Sequence, residues 1–255
     1  MCSVRMSMPA STHIWTLVVA GLLISVHVWG KYLSSLRVIP RSRWLSGASG
    51  IAVAYVFVHI LPELAANQEW IESGARWGTG FVEHHVYLIA MVGLGTFYGL
   101  ERVVKRSSSR RRADTSEDDR TGAGVFWLHV GSFAAMNLLI GYLLLHREEQ
   151  GLKSLLIYGV AMSTHFLVND IGLRADHRLR YDRVGRWVLA GAALVGVVVG
   201  ELVEVSRGRV AVLFAFLAGG VMLNVLKEEL PAERESNFGA FLGGAAGFAV
   251  LLLAA

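Results

Sequence analysis

A single cysteine, Cys2, occurs in the 255 residues. It can form no disulfide within the chain and cannot build a cysteine-based zinc site. Charge is also scarce: 17% of residues are Asp, Glu, Lys or Arg, against about a quarter in an ordinary soluble domain. No stretch reads G-x-x-x-x-G-K-S/T, so no ATP-binding loop is in view and any transport is driven by ion gradients or potential. No A-x-A signature follows the first apolar run, where SVHVWGKYL stands; that run reads as a span, not a cleaved signal peptide. Beyond the number of arginines nothing supports nucleic-acid binding.

What is present is apolar surface. Hydrophobic residues make up 54% of the chain, and the charges cluster between long apolar runs. That is the pattern of an all-α integral membrane protein. Eight spans are predicted, at 14–34, 47–66, 84–103, 124–145, 152–172, 185–204, 209–228 and 237–255, each near the ~20 residues a bilayer requires. They form one transmembrane domain, 1–255. Its longest connection, 105–123 between spans three and four, is polar and predicted to be flexible. Lys and Arg crowd the loops after spans one, three and five, including Arg41, Arg110 and Arg178. This predicts that those loops are cytoplasmic, that both termini are extracytoplasmic, and that the plasma (inner) membrane is the location. Basic residues beside a span also attract anionic lipid, but control of topology alone is the preferred reading of them.

Where the second span ends the chain reads HILPE. His59 and Glu63 are i,i+4 neighbours beside Pro62, which removes a backbone donor and loosens the helix. GIAVAYVFVHILPE (50–63) resembles GGVMLNVLKEELPA (219–232): Gly50 matches Gly219, Val56 matches Val225, Leu61 matches Leu230 and Pro62 matches Pro231. In the predicted topology the copies run in opposite directions. That is the inverted repeat by which many transporters build alternating access. Glu228 and Glu229 then face one side of the membrane, and His59 and Glu63 the other. The plainer reading is that proline and glutamate end each helix at headgroup level.

These motifs resemble the ZIP family of divalent-metal transporters. HILPE is similar to that family's second-span H-x-x-P-E. LAGGVMLNVLKEELPAE (217–233) is similar to its seventh span, and TFYGLER, ending near Glu101, to its third. The resemblance implies an eight-helix 3+2+3 bundle, a homodimer, and zinc, iron or manganese as cargo, zinc first, with no organic cofactor. The family's metal centre lies in spans four and five, and there the pattern is degraded. Ser132 and Met136 stand at ligand positions in SFAAMNLLIG (132–141). In HFLVND (165–170) His165 survives, Phe166 and Asn169 replace acidic ligands, Val168 replaces proline, and Asp170 is one residue out of register.

His165 and Asn169 share a helix face, with Asp170 adjacent, and could hold one divalent ion, which His129 or Glu201 would complete. The competing reading of His165 is a histidine bonded between helices, with Asp170 neutralised by Arg174. Two functions follow: a ZIP-like divalent-cation transporter, or a ZIP-fold protein that no longer transports and serves as sensor, regulator or scaffold. An intramembrane zinc hydrolase using His59, His165, Asp170, Asp176 and His177 ranks below both, because Asp176 and His177 fall in a predicted loop far from His59. The chain is therefore read as a non-enzyme.

Overall fold

The computed structural model describes residues 10–33, 41–72, 86–114, 123–147, 151–229 and 237–254. The described residues are helical except for short turns. The helices are α1 (Ala10–Leu33), α2 (Arg41–Tyr55), α3 (Leu61–Glu72), α4 (Val86–Asp114), α5 (Ala123–Leu143), α6 (Leu152–Arg180), α7 (Arg186–Leu202), α8 (Arg207–Glu229) and α9 (Phe238–Leu253). Two π-helical turns, Val56–Ile60 and Tyr181–Gly185, join α2 to α3 and α6 to α7. Among the described residues six helical segments are long and apolar enough to cross a membrane. α9 is apolar but only 16 residues long. α6 carries Asp170, Arg174 and Asp176 in its length.

The side chains are sorted inside-out. Trp15, Trp29, Phe57, Met91 and Trp127 are exposed, while His27, His129, Asn137, His165, Asn169 and Asp170 are buried. Water would reverse that sorting and hydrocarbon favours it, so the chain is a membrane protein.

Two predicted loops contain helix. α4 runs on to Asp114, ten residues into the 105–123 stretch, and the helix after span five continues through Arg180 into the second π turn. Neither stretch contains glycine or proline before Gly185, so nothing breaks the helical hydrogen bonding. The chain nevertheless reverses near that second turn. α1 lies parallel to α6, with Val19 against Gly159 and Gly30 against Asp170. It lies antiparallel to α7, with His13 at Glu201 and Val28 at Arg186.

Pro62 does not end its helix. The π turn falls just ahead of it, the Leu61 N–H donates to the Val56 carbonyl five residues back, and α3 continues to Glu72. The widened turn relieves the clash that a proline ring causes inside a regular helix.

Packing repeats by exchange. α2 packs on α9 as α8 packs on α4, α1 on α6 as α7 on α5, and α2 on α6 as α8 on α5. α1 also meets α7, and α2 meets α8. The contact of α4 with α5 has no counterpart of similar extent. The exchange holds for single residues. A Cβ on Gly50 would collide with the Phe241 carbonyl and stand 2.8 Å from the Ala245 amide nitrogen; one on Gly219 would collide with the Ala90 carbonyl and stand 2.7 Å from the Leu94 amide nitrogen. Gly244 meets Gly47 as Gly93 meets Phe216. Only glycine allows backbones this close. The matching of Gly50 with Gly219 thus has a structural counterpart. Pro231 lies outside the described residues.

Candidate functional site

The polar interior begins with α1. His27 is fully buried, in the middle of an apolar helix. Its Nδ1 lies 2.8 Å from Asp170 Oδ1 on α6. Its Nε2 lies 2.8 Å from Asn137 Nδ2 on α5, which is also 3.4 Å from the Leu189 carbonyl oxygen. An amide nitrogen can donate to both acceptors, so Nε2 accepts and the Nδ1–H donates to Asp170. The Tyr181 hydroxyl, carried around the second π turn, donates to the same Asp170 oxygen. Asp170 Oδ2 faces Gly30 and accepts no hydrogen bond from the described residues. Phe166 stacks on His27 with ring centroids 4.5 Å apart, and Met136 is fully buried. Phe166 and Met136, which stand where the family resemblance expects ligands, therefore fill the core.

Asn169, next to Asp170 on α6, bonds to His165 one turn back at 2.9 Å. Ser49 and Ala52 of α2 and Asn224 and Val225 of α8 surround them, around a void of about 10 Å³. That is about one water's worth of space. Asp170 is turned away, toward α1. The expected trio of His165, Asn169 and Asp170 therefore does not converge.

Neither proposed completing residue reaches this site. Glu201 pairs with His13 at 2.9 Å. His13 and His27 are fourteen residues apart on α1, about 21 Å of helix. His129 instead lies 2.9 Å from His177 and 3.5 Å from Glu101, tying α4, α5 and the end of α6 together. Arg174 does not neutralise Asp170: its Nε donates to Asp182 at 2.9 Å, and its guanidinium stacks over Tyr181. Among the described residues no group of three or more His, Cys, Asp or Glu could hold a metal ion. Glu228 and Glu229 close α8, but their side chains lie outside the described residues.

His59 and Glu63 do come together, at 3.3 Å. They line an open cavity of about 620 Å³ with Pro62, Tyr55, Tyr158 and Arg147. This vestibule lies at the end of the bundle where α5 finishes and α8 starts. Its charge is mixed. Arg147 is buried beside the cavity, its Nη1 donating to the Leu144 carbonyl. Burial lowers its pKa, against the raising influence of Tyr158 and Tyr55, and Arg207 joins it on the lining. A mouth with two guanidinium groups and one carboxylate is a poor collector of divalent cations.

Sequence reasoning passed over His27, Asn137, Tyr181 and Arg147. An ionisable residue in an apolar span was signal enough for His27. Tyr181 and Arg147 sit in segments that read as loops, and only packing brings them inside. No known family model matches the chain, and no curated protein matches it significantly.

Proposed function

We propose that this chain is a ZIP-like membrane protein that keeps the carrier scaffold and has lost divalent-metal passage, and that it works as a ligand-responsive sensor or regulator. One observation carries the reading. Inside the bundle the polar side chains bond one another: His165 to Asn169, and Asp170 to His27 and Tyr181. A metal ion would need those same lone pairs. The eight-span arrangement, the plasma membrane location with both termini outside, and the homodimer belong to this proposal.

Metal transport is the second reading. The exchange of helix packing between the first and last triplets favours it, as does the His59–Glu63 pair at the vestibule. In it His165, Asn169 and Asp170 would release their internal bonds to a zinc, iron or manganese ion. Proteoliposomes carrying the purified chain decide between the two. Uptake of Zn²⁺, Fe²⁺ and Mn²⁺ at the rate of empty vesicles is the expected outcome. Uptake that His165→Ala abolishes would establish the second reading.

A further inference from the structure

The vestibule has a chemistry that neither reading uses. One wall is helical. Glu63 and Asn67 are i,i+4 on α3 and present oxygens along one face; both line the cavity. Asn67 is 2% exposed, and its Oδ1 has no hydrogen-bond partner among the described residues. A buried amide oxygen without a donor is costly to leave unpaired. Arg147, 9% exposed, is brought to the same cavity by the turn after α5. Tyr55 and Tyr158 line the same cavity. The lining therefore combines a carboxylate, an amide, two phenols and the guanidinium groups of Arg147 and Arg207. The 620 Å³ of space lies within the range of small-molecule sites, about 300–1,000 Å³.

We propose that the vestibule binds a small zwitterion, a primary ammonium joined to a phosphate or carboxylate. The ammonium donates to Glu63 and to the orphaned Asn67 oxygen, and the anion meets Arg147. A guanidinium suits either anion, because its fork of N–H donors matches two oxygens at once. A primary ammonium supplies three donors, enough for both oxygens on α3. A free metabolite and an aminophospholipid headgroup offer this same chemistry.

Titration calorimetry on the full chain in phosphatidylcholine nanodiscs tests the idea, with O-phosphoethanolamine as probe. Saturable binding is expected, at least tenfold tighter than that of inorganic phosphate or ethanolamine alone. Phosphocholine carries the same charges without N–H donors and should also bind at least tenfold more weakly. Arg147→Gln should abolish the signal. Because that residue is buried, Glu63→Gln and Asn67→Leu provide milder variants, each expected to weaken binding at least fivefold in protein with an unchanged helical spectrum. If nanodiscs containing phosphatidylethanolamine suppress the signal, the source is lipid; if they do not, it is a free solute. No binding by the folded wild type, equal affinity for phosphocholine, or Zn²⁺ displacing the probe from Glu63 would overturn the proposal. Metal uptake is measured separately, so this site can fail while the transport question stands, and the reverse.

Discussion

Asp170 places a carboxylate at zero exposure in the centre of an apolar bundle. Isolated, such a group is costly in hydrocarbon; here His27 and Tyr181 donate to it. Replacing it with leucine strands two buried donors, at about 1–3 kcal/mol each. Asp170→Leu should therefore lower the unfolding temperature in detergent markedly. Asp170→Asn, which keeps an acceptor oxygen, should lower it less. His177, beyond the predicted fifth span, gives a pH test. Burial first, then His129 and Arg180, holds its pKa down to about 4 from an ordinary 6.5. The unfolded imidazole takes up a proton near 6.5, and the folded one only near 4. Its contribution to stability is thus complete above the unfolded value and is lost as pH falls from 6.5 toward 4. Unfolding temperature should decline across that window in the wild type and decline less in His177→Gln. His165 and Asp170 were legible as odd residues in a span. Their partners were not, because hydrogen-bond direction depends on how α1 and α6 rotate against each other.

Helix placement was the most legible feature, because apolar runs of span length leave the backbone no alternative to internal hydrogen bonding. The boundaries were not. α4 and α6 extend beyond their apolar stretches because arginine, serine and aspartate in 105–114 and 173–184 do not break helices as glycine and proline do. Pro62 suggested a helix end, and the π turn at Val56–Ile60 absorbs it instead. The glycine seams make a sharper statement about elements. Gly50 seats α9 and Gly219 seats α4 in the same way. Gly50→Val and Gly219→Val should each cost about 1–3 kcal/mol by forcing the backbones apart, with similar losses of thermal stability. Gly95→Val, where a Cβ meets nothing within 4 Å, is the control. A loss at only one of the two seams would contradict the exchange of packing.

At the scale of the molecule, the proposed orientation rests on loop charge, and the lone cysteine gives a direct check. A membrane-impermeant maleimide should label Cys2 on intact cells if the N-terminus is extracytoplasmic. Protection until the cells are opened would reverse the topology. The exchange of packing was legible at Gly50 and Gly219 because close helix packing tolerates only the smallest residue. The rest of the exchange was not, because the partners of each seam, α9 and α4, share no motif.

The sequence by itself determined that this is a helical membrane protein with a repeated, glycine-seamed element. Apolar length and small-residue placement act locally and do not depend on which helices become neighbours. Only the tertiary structure decided what the polar residues do. It turned Asp170 away from His165 and toward His27, sent Glu201 to His13, and buried Arg147 at the cavity that Glu63 lines. Those pairings arise from the rotation and crossing of helices far apart in the chain, and a one-dimensional pattern does not encode them.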